Sequence, residues 1–180
     1  MDRRLELIAE MTPAIWVHLL SIVPAIVIGG YVLYRRKGDA RHKLLGRRWV
    51  ALMLVAAISS FWVTEIRDGF SPIHLLSAYT LFSVTAGVWV IRSGPRTPRA
   101  MRLHRNFMQS LYATGILIAG GFTFLPNRLL GRLTFGETMP AINYAFVAIV
   151  VAMGLWLLIN VTRRQSVVID AVIKSLPNRR

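Results

Sequence analysis

Four histidines are the residues of this chain with the clearest potential for chemistry: His18, His42, His74 and His104. An imidazole can bind a metal ion through a neutral ring nitrogen, and it changes charge near neutral pH. The chain has no cysteine, which excludes disulfides, thiolate catalysis, iron–sulfur clusters and covalent attachment of c-type haem. Binding of a haem or metal through histidine nitrogens stays compatible with these residue types.

The elements that must position these histidines are membrane helices. With 54% apolar and only 17% charged residues, the 180-residue chain is too hydrophobic for an ordinary soluble domain. A helix needs ~20 largely apolar residues to cross a bilayer. Five runs have about that length and predict one all-α membrane domain over residues 1–180. They lie at about 14–34, 49–66, 72–91, 107–126 and 140–161.

Local signals place several of the helix starts. Thr12-Pro13, Ser71-Pro72 and Thr97-Pro98 each put a capping hydroxyl before a proline at the first helical position. Asp39 can cap a second helix that begins near residue 40, inside the loop, and the fourth helix can begin near residue 98. Short connections predict that the first four helices form an up-down bundle, with the fifth packed outside it.

The net charge of +14 comes from uneven basic clusters, which fill the loops after the first and third spans and the tail. Short cytoplasmic loops collect Lys and Arg, so we predict that the N-terminus is outside and the C-terminus inside. The charge is thereby explained without nucleic acid. It also predicts contact with anionic lipid at the inner face of a bacterial inner membrane, crossed several times.

This topology sorts the histidines into two pairs. His18 and His74 lie near the outer starts of helices one and three, and His42 and His104 near the inner starts of helices two and four. The two helices of each pair are diagonal in an up-down bundle, so the paired rings can meet across its centre. Two facing imidazoles are the axial ligands that b-type haem requires, and its propionates favour Arg or Lys.

Helical periodicity predicts that each histidine faces inward, because small residues mark the packed faces of membrane helices. The residues that share these faces are Ser21, Ala25 and Gly29 with His18; Gly46, Trp49, Met53 and Ser60 with His42; Ser77, Ala78 and Thr85 with His74; and Met108, Tyr112, Gly115 and Ala119 with His104. The tryptophans near span ends are also typical of an aromatic belt at the membrane interface. They are Trp16, Trp49, Trp62, Trp89 and Trp156.

The order and pairing of the histidines resembles the layout of two-haem transmembrane b-type cytochromes. A second resemblance covers most of the chain. "KGDARHKLLGRRWVALMLVAAISSFWV", "FSPIHLLSAYTLFSV" and "MRLHRNFMQSLYATGILIAGGFTFLPNR" are similar to an uncharacterised bacterial family of predicted membrane proteins, a domain of unknown function. This resemblance implies a multi-span inner-membrane protein and brings no established activity or ligand.

Depth separates the two pairs. With a helical rise of about 1.5 Å per residue, His18 and His74 lie roughly 10–12 Å from the middle of their spans. His104 lies about 16 Å and His42 about 20 Å from the middle of their spans, whereas the hydrocarbon half-thickness of a bilayer is about 15 Å. The outer pair is therefore the better ligand candidate, with hydrogen bonding between helices as its alternative. The inner pair can instead be interfacial histidines in a basic loop.

Arg128 lies on the predicted outer side, where the charge rule does not require a cation. It can pair with a haem propionate or with Glu65, Asp68 or Glu137.

The leading hypothesis is a b-type haem protein that carries electrons within or across the inner membrane, with quinone as a candidate second cofactor. His18 and His74 would ligate an outer haem, and His42 and His104 an inner one. The alternative is a non-redox protein with structural histidines, either an accessory subunit of a larger complex or a small-molecule transporter. Enzymatic activity stays open; if present, it would be that of a membrane oxidoreductase. A partner subunit or a homo-oligomer is compatible with the sequence.

Overall fold

The computed structural model describes residues 3–9, 11–63, 72–126, 128–135 and 140–175, and all regular structure in these ranges is helical. The α-helices are α1 (Arg3–Ala9), α2 (Pro13–Tyr34), α3 (Ala40–Ser59), α4 (Pro72–Arg92), α5 (Pro98–Leu111), α6 (Ala119–Phe122), α7 (Leu129–Phe135) and α8 (Pro140–Ser175). A 3₁₀ turn, Ser60–Trp62, extends α3, and a π-helix, Tyr112–Ile118, joins α5 to α6. The fold is thus an all-helical one.

The helix starts follow from local capping. The hydroxyl of Thr12 accepts a hydrogen bond from the N–H of Ile15 at 3.5 Å, and α2 begins at Pro13. The hydroxyl of Thr97 accepts from the N–H of Ala100 at 3.1 Å, and α5 begins at Pro98. Each side chain satisfies one of the N–H groups that a helix leaves unpaired in its first turn.

The connection from α2 to α3 is a compact double cap. The ammonium of Lys37 donates to carbonyls in and just after the last turn of α2, including that of Val32 at 3.1 Å. Gly38 has φ +92°, a conformation that costs other residues about 1–2 kcal/mol. The carboxylate of Asp39 accepts from the N–H of His42 at 2.7 Å and begins α3 at residue 40. The sequence "KGD" is therefore a structural turn.

The helices pack in sequential order. The pairs α2–α3, α3–α4 and α4–α5 are neighbours, and the π-helix returns to α2, which closes a four-helix arrangement. Helices α2 and α4 are diagonal in this order, as are α3 and α5. Helix α8 packs outside, on the π-helix, α5 and α6, while α7 packs on α8 and α1 on α7.

Four helices of the described chain are long and apolar enough to cross a membrane: Pro13–Leu33, Ala40–Trp62, His74–Arg92 and Ala141–Asn160. They correspond to the first, second, third and fifth predicted spans. The fourth predicted span, 107–126, consists instead of the end of α5, the π-helix and α6. A fifth crossing and the direction of insertion stay predictions.

The aromatic-belt prediction was wrong for Trp49, which is only 4% exposed and belongs to the core between α2, α3 and the π-helix. The other four tryptophans are 42–68% exposed. Gly29 makes room for the indole, since a Cβ there would lie 2.4 Å from Nε1 of Trp49 and 2.9 Å from the ring of Tyr112. The lack of a side chain at Gly29 thus allows the rings of Trp49 and Tyr112 to pack against the α2 backbone in the bundle centre.

Candidate functional site: two histidine layers

His18 lies in the second turn of α2 and reaches α3. Its Nδ1 is 2.8 Å from the carbonyl oxygen of Ala56. A carbonyl can only accept, so Nδ1 carries the hydrogen and Nε2 is left with its lone pair. The same carbonyl accepts from the backbone N–H of Ser60 and from the hydroxyl of Ser59 at 3.1 Å. The His18 ring is therefore held where α3 tightens into its 3₁₀ turn.

His74 lies near the start of α4 and is 5% exposed. Its ring centroid is 5.7 Å from that of Phe61, at the end of α3. One turn along α4, the hydroxyl of Ser77 is 2.5 Å from that of Ser60, and both side chains are buried. His18 and His74 therefore contact the same end of α3 from two diagonal helices. These residues, with Ala56, form the His18 layer.

His104 repeats the geometry of His18 at the other end of the bundle. Its Nδ1 is 2.8 Å from the carbonyl oxygen of Gly87 in α4, so Nδ1 carries a hydrogen, and in the neutral ring Nε2 holds the lone pair. The approach of α5 to α4 depends on glycine, because a Cβ at Gly87 would lie 2.3 Å from Cε of Met108 and 3.0 Å from Cβ of Phe107. Because glycine has no Cβ, α5 can approach α4 closely enough for His104 to reach the Gly87 carbonyl.

His42 lies in the first turn of α3, at the same end of the bundle as His104. The Lys37 ammonium and the His104 ring are among the groups that act electrostatically on it. The Nδ1 atom of His42 is buried and has no hydrogen-bond partner in the structure. His42, His104 and Gly87 form the His42 layer.

Charged groups converge beside the His42 layer. The backbone N–H of His42 and then the Arg35 guanidinium stabilise the Asp39 carboxylate, which lowers its pKa. Partial burial and the positive charges of Arg105 and Arg35 lower the pKa of the Lys37 ammonium. Because Asp39 offsets only one of these cations, this end of the bundle favours an anionic group such as a propionate or a phosphate.

The two layers are well separated. Along α3, His42 and Ala56 are fourteen residues apart, about 21 Å at the helical rise of 1.5 Å per residue. Trp49 lies midway between them and packs with Met53 and Leu111 in the core. Apolar core side chains therefore lie between the two histidine layers along α3.

The predicted inward faces hold for α2 and α3, where Ala25, Gly29, Met53 and Ser60 are buried. The prediction was wrong for Ala78 and Thr85 of α4, which are exposed. Helix α4 instead buries Thr80 and Ser83, because its contacts shift from α3 to the α5 side along its length. The signal that could have revealed this is a polar residue at every third position from His74.

The π-helix is a second feature that sequence reasoning missed. It spans seven residues in line with α5, and the hydroxyl of Tyr112 donates to the carbonyl of Ile26 in α2 at 3.1 Å. Such segments are rare and frequently lie at functional sites. Here the π-helix lies between the two histidine layers.

Arg128 follows the turn at the end of α6, is partly buried and donates its backbone N–H to the carbonyl of Leu125 at 2.9 Å. Its side chain forms no ion pair within the described residues. The carboxylates predicted to pair with it, Glu65, Asp68 and Glu137, lie outside those residues.

Each layer contains two histidines, which is the number of axial nitrogens that haem iron takes. Among the described residues, no group of three or more His, Cys, Asp or Glu side chains could enclose a metal ion. Haem iron requires only two axial nitrogens, since the porphyrin supplies the other four. A metal-ligating histidine commonly donates its second N–H to a carbonyl, as His18 and His104 do here.

Comparison with known proteins agrees with the helical membrane architecture. Neither the curated proteins nor the solved structures contain a match. The sequence matches the family described as predicted membrane protein DUF2306 over residues 15–158, which includes all four histidines and every helix of the bundle. The chain belongs to the DUF2306 family of membrane proteins.

Proposed function

We propose that the protein binds b-type haem and carries electrons within or across the bacterial inner membrane. One observation carries the proposal. His18 and His104, one in each layer, both donate Nδ1–H to a main-chain carbonyl at 2.8 Å. The hydrogen bond fixes the ring orientation and leaves Nε2 as the coordinating atom.

The residues that would hold the haems follow from the layers. His18 and His74 would supply axial nitrogens in one layer, and His42 and His104 in the other. Bound haem supplies reversible one-electron chemistry at its iron. Arg105 would bind a propionate beside the His42 layer, and the charges of Lys37 and Arg35, which already bond carbonyls of α2 and the Asp39 carboxylate, would add attraction for the anion. Arg128 is the candidate for the other layer.

The surrounding side chains would exclude water from the electron path. Phe61 lies against His74, and Met108, 8% exposed, lies one turn from His104. Apolar surroundings and hydrogen bonds to the axial ligands are two of the means by which a protein sets a haem potential. Quinone is the membrane-soluble candidate for exchange of electrons with this chain, and anionic lipid is the predicted contact of its basic end.

The test is a reduced-minus-oxidised spectrum of protein purified from haem-replete cells. Wild type should show Soret and α-bands. His18→Ala and His104→Ala should each lose a large part of the α-band. Val17→Ala and Leu103→Ala are matched controls, since each is adjacent in sequence and its side chain is 46% or 41% exposed. Both controls should keep the wild-type spectrum.

Colourless wild-type protein would overturn the proposal. It would favour the non-redox alternative, in which the four histidines serve only as hydrogen-bonding contacts between helices. Equal bands in the wild type and in all four variants would show that a bound pigment does not use these ligands.

A further inference from the structure

Helix α4 buries three hydroxyl side chains and exposes several large apolar ones. Ser77 and Thr80 are each 5% exposed and Ser83 is 0% exposed, whereas Leu75 and Phe82 are 62% and 63% exposed. In a membrane helix, inward polar residues either make helix contacts or line a polar path. Ser77, Thr80 and Ser83 are named the hydroxyl seam.

The hydroxyl seam runs from one histidine layer towards the other. At one end, Ser77 contacts the hydroxyl of Ser60 in the His18 layer. Thr80 then faces the π-helix, where a Cβ on Gly115 would lie 3.6 Å from its hydroxyl oxygen. One turn beyond Ser83, the carbonyl of Gly87 accepts the hydrogen bond from His104.

Ser83 distinguishes this seam from ordinary packing. Several other helical hydroxyls in the described residues donate back to a carbonyl of the preceding turn, as Ser21 does to Val17 at 2.7 Å and Thr114 to Ser110 at 2.8 Å. The hydroxyl of Ser83 is fully buried and has no hydrogen-bond partner in the structure. Leaving such a group unpaired costs about 1–3 kcal/mol, and buried polar groups are nearly always satisfied by protein or water. A bound water would supply the missing partner.

The distance between successive hydroxyl residues of the seam matches a chain in which one water lies between each pair of hydroxyls. Residues three apart on a helix are separated by about 4.5 Å along the axis. This is too long for a direct hydrogen bond of about 2.8 Å, but two such bonds through one water span it.

We infer that water occupies the hydroxyl seam and that protons pass along it from the His18 layer towards the His42 layer. Beyond Ser83 water carries the proton, because the Gly87 carbonyl accepts a hydrogen bond but has no hydrogen to release. In each transfer a hydroxyl oxygen accepts a proton from the water on one side and releases its own hydrogen to the water on the other side. No side chain changes its net charge, and no oxidant or reductant is consumed. The inference does not depend on haem.

The absence of cysteine allows a direct test for water in the seam. Ser83→Cys and Phe82→Cys place single thiols at the same depth, one in the seam and one on the exposed side of α4. Transfer into D2O labels a thiol with deuterium only where water reaches it, and the loss of the S–H infrared stretch follows this labelling. In liposomes we expect labelling at residue 83 to be at least about tenfold faster than at residue 82. Equal rates would overturn the assignment of water.

Proton passage is tested in liposomes that contain an internal pH dye, with a potassium diffusion potential as the driving force. Wild type should acidify the interior, Ser83→Ala should reduce the rate several-fold, and Ser83→Thr, which keeps the hydroxyl, should retain it. Phe82→Ala is the control for a general change in stability and should behave as wild type. Equal rates in wild type and Ser83→Ala would overturn proton passage, whatever the labelling result.

Discussion

Gly87 offers the sharpest structural prediction, because it sets both the packing of α4 on α5 and the position of His104. In Gly87→Ala, the new methyl would lie 2.3 Å from Cε of Met108 and 3.0 Å from Cβ of Phe107. The end of the Met108 side chain can rotate, but it is part of the closely packed core. The Cβ of Phe107 can move only with its backbone. Relief of the clash therefore requires α5 to shift away from α4.

The expected change in the free energy of unfolding combines two destabilising contributions and one stabilising contribution. Overpacking of a core costs typically about 1–3 kcal/mol. A shift of about 0.5 Å would stretch the 2.8 Å bond from His104 beyond its favourable range, and such a bond contributes about 0.5–1.5 kcal/mol. Replacement of a helical glycine by alanine returns about 0.5–1 kcal/mol. The first two contributions outweigh the third, and we expect a net destabilisation of about 1–3 kcal/mol.

Thermal unfolding in detergent, followed by loss of helical circular dichroism, measures this change. Gly120→Ala is the matched control, since nothing lies within 4 Å of a Cβ at that helical position. It should unfold at the wild-type temperature or slightly above. Gly87→Ala should unfold several degrees lower, at about 2–4 °C per kcal/mol for a chain of this size. Equal unfolding temperatures for the two variants would refute the close contact of α4 with α5.

Three further predictions test other parts of the fold. Gly131→Ala should destabilise strongly, because its Cβ would lie 2.1 Å from the rigid backbone oxygen of Leu125; a thermal melt that matches Gly120→Ala would contradict that contact. Tyr112→Phe should lose about 0.5–1.5 kcal/mol with its hydrogen bond to Ile26, measured in the same melts; unchanged stability would remove the π-helix from contact with α2. The lowered pKa of Asp39 stabilises the fold above the ordinary carboxyl pKa of about 3.9, and this stability is lost as the pH falls through the lowered value. Asp39→Asn keeps a capping side chain but cannot titrate, so it should lack this part of the acid dependence of unfolding; identical pH profiles would contradict the account.

Much of the fold was predictable because its determinants are local. Thr12, Asp39 and Thr97 cap helices through bonds to residues three positions ahead, a spacing that the sequence displays directly. The apolar runs are long enough to identify four of the candidate spans without any tertiary information. The alternation of histidines along the chain predicts a pair at each end of the bundle, and ligation by these pairs stays a prediction.

The rest depends on contacts between helices, which one sequence does not display. The acceptors for His18 and His104 are main-chain carbonyls, and every residue has one. Only the packing selects Ala56 and Gly87. Trp49 is core rather than interface because Gly29 lies opposite it. The π-helix arises within an apolar stretch whose composition is equally compatible with an α-helix.

The haem content of purified protein per chain tests the central claim most directly. Protein from haem-replete cells should yield about two extractable haems per chain, one for each histidine layer. His18→Ala and His104→Ala should each yield about one, while Leu103→Ala should retain both. A ratio near zero in folded wild-type protein, or the same ratio in all of these variants, would contradict the assignment of the two layers as haem sites.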